Sequence, residues 1–155
     1  MSISKFSDLS SDSSSFRRRK KEFLPNANGS TVTKKVKICR NGTSMGTYED
    51  DLNPDGQRQE FGVLLRDNGN SYEGEWKKDK RDGLGIARYS SGDVYDGQWQ
   101  RGKRQGHGVM YIDAGDTYIG SWDNGLKHGA GTCHWADGEV DVSWYQEERR
   151  VGEGV

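Results

Sequence analysis

The sequence predicts an all-β chain, an elongated single-layer array of antiparallel β-hairpins behind a disordered N-terminal tail. Three observations lead there. First, Trp76, Trp99 and Trp122 stand 23 residues apart, closing the phrases Tyr72-Glu-Gly74-Glu-Trp76, Tyr95-Asp-Gly97-Gln-Trp99 and Tyr118-Ile-Gly120-Ser-Trp122. Second, glycines keep the same period: Gly83, Gly106, Gly129 and Gly152 form one ladder, and Gly62, Gly85, Gly108, Gly131 and Gly154 a second. A fixed period of this length marks stacked units that bury their apolar faces against one another. Third, the pattern inside each unit has the strand period of two, with Tyr, Gly and Trp on one side and the residues between them on the other.

Residues 1–47 read as a Ser-rich, basic tail: residues 1–15 hold eight serines, and Arg17, Arg18, Arg19, Lys20 and Lys21 follow between Phe16 and Phe23. A second basic patch covers Lys34, Lys35, Lys37 and Arg40, where alternation over 31–38 is compatible with a short edge strand. Residues 48–71 read as a degenerate repeat or cap that keeps Gly62 and Gly69 but lacks the Tyr and the Trp. Full units follow at 72–94, 95–117 and 118–140, and a partial one at 141–155. In each full unit a polar turn (77–81, 100–104, 123–127) precedes a return strand. That strand should place Gly83, Gly85, Ala87 and Tyr89, or their equivalents, on the ring side. Glycines there leave space for the rings, because a strand-interior Gly marks close approach of another group. A second turn at Ser91-Gly92-Asp93, Ala114-Gly115-Asp116 or Asp137-Gly138-Glu139 closes the unit. In the partial unit Asp141, Ser143 and Tyr145 take the Tyr, Gly and Trp phases, and Trp144 lies one residue out of phase. The chain stops at Val155 before a full return strand, so the last strand offers an edge for self-association or partner capture.

Tyr-x-Gly-x-Trp, a basic turn, Gly-x-Gly, a bulky residue and Asp-Gly at a 23-residue period resemble the MORN (membrane occupation and recognition nexus) repeat. The repeat-defining residues are Tyr72, Gly74, Trp76, Gly83 and Gly85; Tyr95, Gly97, Trp99, Gly106 and Gly108; and Tyr118, Gly120, Trp122, Gly129 and Gly131. The resemblance implies a twisted rod of successive hairpins in a mostly non-catalytic protein. Such proteins serve as protein-docking scaffolds, as modules for anionic phospholipids and phosphoinositides, or as accessory arrays beside a lipid kinase or methyltransferase.

Composition agrees with a thin array: 30% of residues are hydrophobic, mean hydropathy is -1.03, and 22 are glycine. No apolar run reaches the ~18 residues of a membrane span, and the start lacks a secretory apolar segment. Cys39 and Cys133, far apart and without metal-type spacing, read as free thiols of a reducing compartment. A cytoplasmic chain, peripheral to a membrane or the cytoskeleton, is therefore expected. Residues 1–47 carry ten Lys/Arg against three Asp/Glu, and residues 48–155 carry thirteen against twenty-one, so a basic tail precedes an acidic body.

Catalytic chemistry finds no foothold. The Gly-x-Gly pairs recur inside strands and lack the helix that a phosphate loop needs. His107, His128 and His134 occupy different unit positions without ligand spacing, so neither metal nor cofactor is expected. The charges do segregate. Lys77, Lys78, Lys80, Arg81, Arg101, Lys103, Arg104 and Lys127 fall at the first turns; Asp93, Asp113, Asp116, Asp137 and Glu139 fall at the second. Together with Arg17–Lys21, the basic rim is the candidate contact for anionic lipid or an acidic partner. Nucleic acid is disfavoured, because no recognisable module accompanies the basic run.

Overall fold

The computed structural model describes residues 35–50 and 52–153, so Arg17–Lys21 and Lys34 lie outside the described residues. The described strands form one eleven-stranded sheet whose spatial order is the chain order, each strand antiparallel to the next. The strands are β1 (Lys35–Arg40), β2 (Thr43–Glu49), β3 (Glu60–Arg66), β4 (Ser71–Lys77), β5 (Lys80–Arg88) and β6 (Val94–Gln100). They continue as β7 (Lys103–Tyr111), β8 (Thr117–Asp123), β9 (Leu126–His134), β10 (Val140–Gln146) and β11 (Arg149–Glu153). The three predicted hairpins are β4–β5, β6–β7 and β8–β9.

The first turn of each unit is tighter than the sequence suggested. Two residues suffice at Lys78–Asp79, Arg101–Gly102 and Asn124–Gly125, all with positive φ. Paired positive φ values are the signature of the turn whose twist matches that of the flanking strands.

The same turn occurs at Asn41–Gly42, and it overturns the reading of residues 35–47 as tail. β1 and most of β2 form a hairpin there, carrying Lys35, Lys37 and Arg40 on a strand. The reason is local: Asn-Gly between strand-forming residues is a strong hairpin signal. The degenerate unit has not lost its tyrosine either. Tyr48, one residue out of phase, stands over Gly62 as Tyr72 stands over Gly85.

The core is the ring side of the sheet. Tyr48, Tyr72, Trp76, Tyr95, Trp99, Tyr118, Trp122 and Tyr145 are all buried, Tyr95 completely. Their rings meet edge to face in one unbroken chain: Tyr48 on Trp76, Trp76 on Tyr72, Tyr72 on Trp99, and so on to Tyr118 on Tyr145. Centroid separations run from 5.0 Å (Tyr72–Trp76) to 5.7 Å (Tyr48–Trp76). Each such contact contributes about 0.5–1.5 kcal/mol beyond its buried area. Rings from β4 and β6 can touch because β5 between them carries Gly85 and Ala87 where side chains would otherwise stand. A Cβ on Gly85, Gly108 or Gly131 would lie 2.6 Å from a ring carbon of Tyr72, Tyr95 or Tyr118.

The other glycine ladder works differently, which corrects the expectation that both lie under the rings. Gly74 pairs with Gly85 but Trp76 pairs with Arg81, so the register slips opposite Glu75; the same slip recurs between β6 and β7 and between β8 and β9. Gly83 sits in this bulge at φ 99°, and a Cβ there would meet the Glu75 carboxylate on the far side of the sheet. Gly106 likewise faces Gln98, and Gly129 faces Ser121. These glycines serve the bulge, where a left-handed residue suits Gly.

At the C-terminal end β10 keeps the phase that places Tyr145 on Tyr118, while Trp144 points to the other side and is 52% exposed. Ser143, at the glycine phase, is fully buried and donates to Asp141 Oδ2. A return strand does form: β11 pairs with β10 from Gln146↔Arg149 to Ser143↔Glu153.

Candidate functional site

The bulge has a consequence for charge. It leaves Arg81 on the ring side, with its guanidinium carbon 4.1 Å from the Trp99 centroid. The equivalent residues repeat the arrangement: Arg58 over Trp76 at 4.3 Å, Arg104 over Trp122 at 4.5 Å, and Lys127 over Tyr118 at 4.8 Å. Each cation also lies within 6 Å of a second ring. A cation on an aromatic face is worth about 0.5–1 kcal/mol when exposed and more when desolvated. The arginines additionally tie units together. Arg81 Nη2 donates to the Gly102 carbonyl at 2.9 Å while the Gly102 N–H donates back to the Arg81 carbonyl; Arg104 and Gly125 do the same.

Arg81 and Arg104, expected to contact lipid or partner, are thus half-buried over rings, whereas Lys77, Lys78, Lys80, Arg101 and Lys103 are exposed at neighbouring turns. Arg58, Arg81, Arg104, Lys127 and Arg150 stand 23 residues apart, a ladder as regular as that of the tryptophans and legible in the sequence. Grouping the charges by turn hid it. Arg150 at its end pairs with Asp141 at 2.9 Å.

The opposite rim is also partly structural. Asp93 Oδ1 accepts the Asp113 N–H at 3.0 Å and Asp116 Oδ1 accepts the Ala136 N–H at 2.9 Å. Asn70 does the same for Ser90 at 2.8 Å. Two acids of the presumed acidic rim therefore stitch one unit to the next.

Between the cation ladder and the loops lies a cleft of about 340 Å³. Its floor is Leu64, Tyr72, Trp76 and Ala87; Tyr89, Arg58, Arg66, Lys80, Arg81 and Arg88 border it. On the ring side Arg58, Arg66 and Arg81 stand against one acid, Asp79, which is ion-paired to Arg58 at 3.1 Å; Lys80 and Arg88 border the cleft from the opposite strand phase. Among the described residues no carboxylate lies within ion-pairing distance of Arg81 or Arg104. Burial depresses the pKa of Arg81, and the neighbouring charges of Arg66 and Arg104 act in the same direction.

The tyrosines are not poised for chemistry. Burial pushes the Tyr118 hydroxyl up to about 12 and raises Tyr72 and Tyr95 as well. Tyr145 is raised by burial first, then by its hydrogen bond to Cys133 Sγ at 3.1 Å. Cys39 is exposed, Cys133 buried, and both are free. His107 and His128 are exposed and His134 half-buried. No group of three His, Cys, Asp or Glu among the described residues could hold a metal ion. Nor is any helix among them long and apolar enough to cross a membrane.

The MORN repeat model matches residues 72–94, 95–117 and 118–140, unit for unit with the rings and cations described above. Residues 72–140 are three MORN repeats. They are non-enzymatic in design, since the periodic residues serve rings, bulges and turns. No curated protein matches the chain. A solved structure matched along 78% of this chain and 84% of its own is the SAS-4 (dCPAP) TCP domain in complex with a proline-rich motif of Ana2 (dSTIL) of Drosophila melanogaster. It is 15% identical with a TM-score of 0.29, too low for anything to be carried over.

Proposed function

We propose that this MORN-repeat protein is a non-catalytic scaffold that docks a protein partner on the ring side of its sheet. The observation that carries this reading is the cleft over Tyr72 and Trp76, bordered on the ring side by Arg58, Arg66 and Arg81, of which Arg58 is neutralised. Concave, aromatic-floored clefts with a few convergent polar groups are the usual form of a binding site. A catalytic domain, whether lipid kinase or methyltransferase, is one kind of partner such a face would serve.

The test is site-specific cross-linking in the protein's own cells. A photoreactive residue at Tyr89, which borders the cleft on the ring side, should capture a discrete partner; one at Ala130, exposed on the far side, should not. Capture at Ala130 with none at Tyr89 would refute the docking face.

A second reading has its own support. Lys77, Lys78, Lys80, Arg101 and Lys103 are exposed on two adjacent turns, and cations near an anionic surface contribute about 1 kcal/mol each. Co-sedimentation with phosphatidylserine vesicles that is lost on Lys77→Glu and Arg101→Glu would establish a peripheral membrane contact.

A further inference from the structure

We propose that the ring-side cleft and its cation ladder take an extended acidic peptide whose carboxylates recur at every third residue. This rests on the docking reading above and names the chemistry of its partner. The spacing comes from the fold. Successive cations belong to successive two-stranded units, and strands lie about 4.8 Å apart, so Arg58, Arg81 and Arg104 stand about 10 Å apart along the sheet. A peptide in the polyproline II conformation rises about 3.1 Å per residue with three residues per turn. Its positions i, i+3 and i+6 therefore share one face at about 9 Å intervals, which matches the ladder. A β-strand would not serve, because its residues i and i+3 point to opposite faces.

The cations have capacity to spare. A guanidinium carries five N–H donors, and among the described residues Arg81 directs one to Gly102 O and none to a carboxylate. The guanidinium is already held over Trp99 and bonded to Gly102 O, so little freedom remains to be lost when a carboxylate arrives. Arg66, exposed at the cleft border, adds charge without belonging to the ring stack. A peptide is favoured over a bilayer because the ladder is half-buried beside the rings. A planar headgroup layer meets the exposed turn lysines first.

The experiment uses the full chain and fluorescent twelve-residue peptides, read by anisotropy at low salt and at 0.15 M. One peptide repeats Glu-Pro-Ala four times; the other has the same composition with its glutamates contiguous. The expected result is at least tenfold tighter binding of the spaced peptide. Arg66→Ser should weaken it several-fold with the melting temperature unchanged, and Lys77→Ser should leave it unmoved. Equal affinities for the two peptides would overturn the spacing. Absence of binding to both, with cross-linking at Tyr89 still capturing a partner, would overturn this inference while leaving the docking reading intact. Loss of phosphatidylserine vesicle binding on Arg66→Ser, with no peptide bound, would assign the cleft to lipid and overturn it too.

Discussion

The guanidinium carbon of Arg81 lies over Trp99, 4.1 Å from the ring centroid, and its Nη2 donates to the Gly102 carbonyl beyond it. One side chain thus roofs a ring on β6 and anchors the turn that leads from β6 to β7. Arg81→Ala should therefore cost about 1–2 kcal/mol, combining a desolvated cation–ring contact with a charged hydrogen bond. Arg81→Lys should recover part of it, since the charge remains and the planar fork is lost. Lys78→Ala, at an exposed turn, should stay within about 0.5 kcal/mol. Urea melts of the three variants decide it; a loss for Lys78→Ala equal to that for Arg81→Ala would mean the ladder has no special role.

The two glycine ladders give the second prediction. Gly108 lies beneath the Tyr95 ring, so Gly108→Val should cost about 3 kcal/mol by overpacking. Val109→Gly, on the other side of the strand, should cost less, although strand propensity alone predicts the reverse order. Gly106→Ala should fall between them, because φ 67° is unfavourable for alanine but the Gln98 side chain above it can move. Thermal melts that show Val109→Gly as the worst of the three would remove the steric account.

The strand period and the 23-residue clock made the sheet, its ring face and the tight packing under Tyr72, Tyr95 and Tyr118 readable from sequence. What they concealed were departures from strict alternation. The bulge opposite Glu75 turns Gly83 away from the rings and keeps Arg81 among them, and a period of two has no means of showing a register slip. Tyr48 escaped because the first unit is offset by one residue. The Asn41–Gly42 turn was legible, but the surrounding charge drew residues 35–47 into the tail. As for the site, Arg58, Arg81, Arg104 and Lys127 were in phase all along, yet for Arg81, Arg104 and Lys127 the position over rings depends on the bulge.

The stitching acids predict an isosteric exception. Asp93 accepts a backbone N–H of the next unit, as Asn70 does one unit earlier. Asp93→Ala should cost about 1 kcal/mol by leaving that N–H without its acceptor, and Asp93→Asn should be nearly neutral. Hydrogen exchange gives a local reading: the Asp113 amide should lose protection in the alanine variant and keep it in the asparagine variant. Equal protection in both would relegate Asp93 to a solvated rim.

Alkaline pH should unfold the array. Burial raises the pKa values of Tyr72, Tyr95 and Tyr145 and holds Tyr118 at about 12, against about 10 in an unfolded chain. Above pH ~10 the unfolded chain binds fewer protons than the folded one. The tyrosine contribution is therefore constant below pH ~10 and falls above it, by up to about 1.4 kcal/mol per pH unit for each residue. Urea melts from pH 9 to 11.5 should show this decline, made shallower by about one proton in Tyr118→Phe. A decline identical in wild type and Tyr118→Phe would exclude Tyr118 as a source.

The C-terminal unit supplies the sharpest contrast, because its two neighbouring aromatic residues have opposite surroundings. Tyr145 is 8% exposed, sits 5.3 Å from Tyr118 and shares a hydrogen bond with Cys133; Trp144 is 52% exposed on the far side. Tyr145→Ala should cost about 3 kcal/mol, in the range for removing a buried aromatic side chain, and should loosen β10 and β11 first. Trp144→Ala should change stability by about 0.5 kcal/mol or less. Hydrogen exchange over 140–153 distinguishes local from global loss. If Trp144→Ala instead proves as damaging as Tyr145→Ala, the far side of this unit is packed against something. Light scattering on full-length Trp144→Ala would then show whether that something is a second copy of the chain, by a fall in mass relative to the unaltered protein.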